Sequence, residues 1–393
     1  MATRLELLKQ MSQETVAGPT DIEKQDYFVK AHEDYQEFNR NSWHKGMGYT
    51  MPAGVFPIFD KNMEGLESGL FLVAGEANCG KSATLLELIL QYASNPDNKL
   101  VGLYFSLDDT NDKIIPRLLA SHAQLLGEHE PGVPISLFSK PSRYLDQLRH
   151  INLDSDEAHV LYSYLYDDIT AGGILNPDII DEDPELFETS VRHRAYSWLQ
   201  ETESYFHLVD GTTIHNGEQL IEFCYDFKSY VQRMKGDMEY NLIVGIDSFS
   251  DIRWEEQRFG NDKELNDYTS SRMKALAVEE LKCPVFGTIH LRKIDQKKRP
   301  TIADVKESGR WAYEASLVFL IHNDVSRNGE AAGIFGTTDD SDFKLPVLEI
   351  LWAKNKQSSF KGRTYCYFKT NFSRVWECSK EAMDRYNSLL YSL

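Results

Sequence analysis

The sequence predicts an α/β protein with a mostly parallel central sheet flanked by helices, and three observations carry that prediction. Short apolar runs at residues 70–74, 101–105, 242–246, 285–289 and 317–321 alternate with stretches of helical period. This is the pattern of strands buried on both faces by crossover helices. Gly75, Glu76, Ala77, Asn78, Cys79, Gly80, Lys81 and Ser82 fit the phosphate-binding P-loop pattern G-x-x-x-x-G-K-[ST]. The first apolar run precedes that loop and a helical segment at 83–90 follows it, the context the motif requires. The chain has 393 residues, 41% of them hydrophobic and 12% aromatic, enough for one large domain or two ordinary ones.

Taken in order, residues 1–46 are polar with a weak helical period over 21–39, and are expected to form an arm or linker helix. Residues 47–393 are expected to form the ATPase domain. After the run at 101–105 a helix is expected over about 112–126. Residues 131–205 read as an insertion. Between 151 and 204 there are thirteen Asp and Glu against two Arg and no Lys, a local net of −11. The whole chain carries −19, so −19 + 11 leaves −8 for the rest. The alternation then resumes with helices at about 217–235 and 265–282 and strands between them. Residues 348–352 and 364–368 read as a C-terminal hairpin.

Composition excludes some classes. A net charge of −19 does not suit a protein coated in basic surface, so any nucleic-acid contact is local. Cys79, Cys224, Cys283, Cys366 and Cys378 show no C-x-x-C spacing, which argues against a zinc site or a disulfide framework and suits a reducing cytosol. No apolar run approaches 18 residues, so neither signal peptide nor membrane span is expected, and the protein is expected in the cytoplasm of a bacterial or phage-infected cell.

Nucleoside triphosphate hydrolysis asks for more than a phosphate loop. Backbone N–H groups of the loop and the helix N-terminus face the phosphates. Lys81 is expected to reach the β- and γ-phosphates and the Ser82 hydroxyl to ligate Mg²⁺; Thr84, two residues on, is grouped with them. Asp247 ends an apolar strand, the position of an acid that holds Mg²⁺ through water. Asp108 ends the strand after the P-loop helix and can serve as general base toward water; Asp109 is its rival, and either can instead cap the next helix. His290 ends the run at 285–289, where a polar side chain faces a ligand crevice and can sense the γ-phosphate. Just beyond it, Arg292, Lys293, Lys297, Lys298 and Arg299 form the densest positive cluster in an acidic chain, set against a single acid, Asp295. Lys and Arg at that density suit phosphate contacts with single-stranded DNA.

The order of these motifs resembles the DnaB-like hexameric replicative helicases, with their RecA-type motor, and within them the Twinkle and phage primase-helicase branch. Residues 51–60 and 65–69 are similar to the family's lead-in to its P-loop. Phe105, Ser106, Leu107 and Asp108 resemble the segment that carries its catalytic acid. Residues 289–293 resemble the phosphate-sensing His and DNA loop. Arg299, Pro300, residues 304–309 and Ala315 resemble its R-P…D-L-R-[EG]-S-G…A stretch. Lys354 and Lys356, in Ala353-Lys354-Asn355-Lys356, occupy the segment that supplies cations to the next subunit's nucleotide. The likeness spans about 47–378, broken by the insertion. It implies ATP and Mg²⁺ as cofactors, assembly as a homo-oligomer, expected to be a hexamer, translocation on single-stranded DNA, and a primase, polymerase or loader as partner. Three departures stand out: Asp at 108 where Glu is usual, Lys at 354 and 356 where Arg is usual, and no segment resembling a primase domain. The rival expectation is a RecA-, RadA- or KaiC-like ATPase that binds nucleic acid without unwinding it.

Overall fold

The computed structural model describes residues 48–52, 54–126, 135, 139, 198–292, 298–305, 309–337 and 344–392. The arm at 1–46 and nearly all of the acidic insertion lie outside these. The chain divides into two compact units, Met1–Gly48 and Tyr49–Leu393; the architecture below is that of the second.

A short helix α1 (Pro57–Met63) precedes β1 (Gly69–Gly75). Then come α2 (Lys81–Ser94), β2 (Leu100–Ser106) and α3 (Asn111–Leu126), followed after the insertion by β3 (Phe206–Asp210). Next are α4 (Gly217–Lys235), β4 (Asn241–Asp247), α5 (Asp262–Ala275), β5 (Pro284–His290), α6 (Gly309–Glu314), β6 (Leu317–Asn323) and α7 (Asp324–Asn328). The chain closes with β7 (Phe335–Thr337), β8 (Lys344–Asn355), β9 (Arg363–Lys369), β10 (Arg374–Glu377) and α8 (Lys380–Ser392).

The ten strands form one sheet in the order β10-β9-β8-β6-β1-β5-β4-β2-β3, with β7 on β8. From β3 to β6 all pairs are parallel; β8, β9 and β10 add antiparallel. The alternation of side chains along a strand explains why the parallel strands read as unbroken apolar runs. In β1, Phe71 and Val73 join one core cluster with α1, α2 and α3, while Leu70, Leu72 and Ala74 join a second with α4, α5 and α6. All seven β1 residues are buried.

The expected hairpin is present, with Leu348 opposite Cys366, but it is part of the main sheet, because β8 also pairs along β6. The helix expected over 265–282 starts earlier, at Asp262, and its last turn widens to a π-type turn at Leu276–Glu280. β3, β10, α1 and α8 had no distinct periodic signal. Among the described residues no helix is long and apolar enough to cross a membrane.

Candidate nucleotide site at the strand ends

Parallel strands leave their C-terminal ends on one side of the sheet, and ligands bind in the crevice beyond them. The register aligns four of the sequence candidates there. Gly75 pairs with His290, and Ser106, two residues before Asp108, pairs with Asp247. These ends line a cleft of about 430 Å³ that includes Lys81, Ser82, Asp108, Asp247 and His290. Asn78 and Gly80 of the phosphate loop complete one wall.

The loop needs its glycines. Gly80 sits at φ 102, a conformation side chains with Cβ rarely adopt. A Cβ on Gly75 would lie 2.5 Å from the Cys79 sulfur. Lys81 is almost fully buried, and its Nζ donates to the Glu76 carbonyl at 2.7 Å, so the ammonium is held across the loop. Thr84 takes a different part from the one expected. Its hydroxyl donates to the Gly80 carbonyl at 2.8 Å inside the helix and it is buried away from the cleft. That hydroxyl is engaged within the helix and Thr84 does not line the cleft, so we remove it from the nucleotide-binding set.

Asp247 is positioned from both sides. Tyr104 donates its hydroxyl to one carboxylate oxygen at 3.0 Å, and Thr288 donates to the other. Tyr104 is fully buried, and burial, followed by the charge of Asp247, pushes its phenol well above the ordinary value, so it remains a donor. Sequence reading missed Tyr104 and Thr288. A signal existed, since Thr288 and His290 lie two apart on one strand and so share a face. The peptide bond after Asp247 is cis.

The neighbouring acids separate cleanly. The two Asp109 oxygens pair with Lys113 at 3.1 Å and Arg117 at 2.8 Å. Burial raises the Asp109 pKa, but these two cations outweigh it and hold the carboxyl below its ordinary value. Asp108 is exposed at the cleft, and among the described residues no side-chain partner ties up its carboxylate. The geometry therefore favours Asp108 over Asp109 as the acid available to water.

The basic cluster is only partly described: Lys293 and Lys297 lie outside the described residues. Arg292 and Lys298 are exposed. Arg299 is not an open phosphate contact, contrary to the expectation from sequence. Its guanidinium pairs with Glu349 at 2.9 Å and reaches Asp324 at 3.5 Å, both acids being buried. A buried carboxylate needs such a partner, so Arg299 anchors the end of the loop to β8 and α7.

Lys354 and Lys356 lie at the other end of the sheet. Lys354 pairs with Val318 near the start of β6, whereas the P-loop strand pairs at Ile321. The Lys354 ammonium is turned further away, donating to the carbonyls of Ala312 and Tyr313 at 2.7 Å each. Burial, then the charge of Lys356, lowers its pKa to about 8. Lys356 is exposed.

Residues 199–376 match the family model of the DnaB-like helicase C terminal domain. Over that stretch the chain is similar to the DnaB-like helicases. It is 24% identical over 358 residues to the replicative DNA helicase DnaB of Rickettsia typhi (strain ATCC VR-144 / Wilmington), covering 86% of this chain and 58% of the relative. It thus spans a little over half the length of that curated DnaB. Among solved structures it is similar to an isolated ATPase domain, with a TM-score of 0.55 and 15% identity over 92% of this chain and 100% of that one. A DnaB-like replicative helicase described with its interactions with primase gives a TM-score of 0.56 and 15% identity, over 95% of this chain and 71% of that one. These structural likenesses show that the chain shares the RecA-like fold of those ATPase domains.

Proposed function

We propose that the chain is the motor of an ATP-driven replicative DNA helicase that works as a ring on single-stranded DNA. The observation that carries the reading is the cleft, where Lys81, Ser82, Asp108, Asp247 and His290 converge at adjacent strand ends in a chain with the DnaB-like domain match. Lys81 would leave the Glu76 carbonyl for the β- and γ-phosphates of ATP. Asp108 would accept the proton of the attacking water. His290 would hydrogen-bond the γ-phosphate and report its loss.

The donor set fits Mg²⁺. Ser82 offers a hydroxyl, and both Asp247 oxygens already accept hydrogen bonds, so Asp247 suits an ion held through water. When bound, the ion would neutralise charge on the β- and γ-phosphate oxygens.

Lys354 and Lys356 would complete the site of a neighbouring subunit, because their end of the sheet faces away from their own P-loop. Arg292 and Lys298, with Lys293 and Lys297, would meet DNA phosphates. A hexamer, and a primase, polymerase or loader as partner, belong to the same reading.

The deciding experiment is strand separation on forked DNA with ATP and Mg²⁺. Wild-type protein should unwind the fork and Lys81→Ala should not. ATP turnover without unwinding would instead favour a RecA-like ATPase that only binds nucleic acid.

A further inference from the structure

One arginine touches both loops that the proposed motor has to link. Arg327 lies on α7, beyond the end of β6, and its side chain is 8% exposed. Its guanidinium pairs with the Glu76 carboxylate at 3.2 Å. The same Nη1 donates to the Lys298 carbonyl at 3.4 Å. Glu76 is the second residue of the phosphate loop; Lys298 is the last residue before Arg299 anchors the basic segment. The neighbouring Ser326 hydroxyl donates to the Asn78 carbonyl at 3.4 Å, a second tie from α7 to the phosphate loop.

The platform under Arg327 is fixed. Asn323 caps α7 by accepting from the Ser326 N–H at 3.0 Å. Asp324 accepts from the Gly333 and Ile334 N–H groups at 2.8 and 2.9 Å. Beside Arg327, Glu76, Leu291 and Pro300 border a cavity of about 340 Å³, so the two loops are not packed solidly against each other. The near ends of the two loops meet directly, the Leu291 N–H donating to the Gly75 carbonyl at 3.3 Å; beyond that bond, across the space between them, the buried Arg327 guanidinium forms a mechanical link.

We infer that Arg327 is a positioning residue that couples the phosphate loop to the DNA-contacting segment, with Glu76 as the relay. Glu76 makes two contacts of opposite kind. Its backbone carbonyl accepts from Lys81 at 2.7 Å, and its carboxylate holds Arg327. A phosphate that draws the Lys81 ammonium away removes the first contact and frees Glu76 to shift. Arg327 follows its carboxylate, which changes its hold on the Lys298 carbonyl. A shift of the basic segment reaches Glu76 by the same route in reverse, as linkage requires. Arginine suits the task because its planar fork offers several donors at once, whereas a lysine ammonium is a single point charge.

This inference rests on the proposed function, and its test is built so that the two fail separately. The full chain carries Arg327→Gln or Arg327→Lys. Hydrogen exchange of the amides in residues 298–305 is measured with and without a non-hydrolysable ATP analogue, and no DNA is present. In wild type the analogue should change exchange there; in either variant that response should disappear while the analogue still binds. In a second arm, single-strand DNA affinity is measured with and without the analogue. The wild-type ratio should lie in the usual coupling range of about 5- to 150-fold and fall to about one in the variants. A wild type that binds no DNA overturns the helicase reading, and the exchange arm still decides Arg327. An unchanged exchange response in the variants, or none in wild type, overturns the coupling role. Should Arg327→Gln not fold, Glu76→Gln breaks the same pair from the other side and must give the same loss.

Discussion

At one end of the sheet β1, β2, β4 and β5 deliver Lys81, Asp108, Asp247 and His290 to a common cleft; at the other, β8 delivers Lys354 and Lys356 to the surface. The difference comes from strand direction. Parallel strands joined by crossover helices all finish on the same side, so every loop after a strand adds to one site. β8 runs antiparallel to β6, so its last residues arrive where the other strands begin. On the proposed reading, a subunit built this way would carry most of a site at one end and the completing cations, Lys354 and Lys356, at the other, and a ring of copies would join the two. Experiments that treat the ends differently test this comparison.

The largest effect is expected at the cleft end. Lys81→Ala should abolish ATP turnover and leave the thermal unfolding midpoint nearly unchanged, because the phosphates lose their cation while the helix gains a strong helix former. Retained turnover would place the reaction elsewhere. At the other end, Lys354→Ala and Lys356→Ala should also lose turnover, yet still bind nucleotide. Mixing either with Lys81→Ala subunits should recover part of the activity, since some interfaces would then pair an intact P-loop with intact lysines. Absence of recovery at every mixing ratio counts against a shared site.

Next in size is the choice between two adjacent acids. Asp108→Asn should cut turnover by about 10²-fold or more with nucleotide still bound, if its carboxylate takes the proton. Asp109→Asn should cost less, because that acid already serves Lys113 and Arg117. The reverse ranking would reassign the base.

The far end also has a pH signature. The Lys354 pKa is lowered to about 8 by burial and by Lys356. A lysine with a depressed pKa is charged below that value and loses its charge as pH rises through it. The ratio kcat/KM for ATP, which reports groups in the free protein, should therefore fall on an alkaline limb near pH 8, and Lys354→Arg should move the limb upward. A limb that stays put in Lys354→Arg belongs to another group.

How much of this was legible in the sequence follows the same division. Strands buried on both faces are apolar throughout, so β1, β2, β4, β5 and β6 announced themselves, and with them the strand-end acids and His290. β3 and β10 are short or half-exposed strands at the sheet edges, and their mixed burial left no clear period. Within the cleft, the sequence candidates Lys81, Ser82, Asp108, Asp247 and His290 come together, whereas Tyr104 and Thr288 gave no signal of their own, since their contact is with Asp247. Arg299 misled for a related reason. A basic residue in a basic run reads as a phosphate contact, and only the fold shows Glu349 and Asp324 closing on it.

The smallest effect sharpens what remains of the basic segment once Arg299 is removed from it. Arg292 and Lys298 are exposed, and both flank the stretch that follows His290. Replacing each with Ala removes at most two phosphate contacts per subunit. Counterion release sets the readout: on a single strand, each phosphate no longer neutralised lowers the slope of log affinity against log salt by about 0.7. The double variant should therefore bind single-stranded DNA more weakly at low salt, with a slope shallower by up to about 1.4 per subunit engaged. ATP affinity without DNA should not change, because neither side chain lines the cleft. Arg299→Ala should behave differently. It leaves Glu349 and Asp324 buried without their cation, so it should lower the unfolding midpoint, an effect the exposed pair should not produce. An unchanged salt slope in the Arg292 and Lys298 double variant would leave the DNA contact to Lys293 and Lys297, or to the stretch after Asp247, where Arg253, Arg258 and Lys263 are further cations.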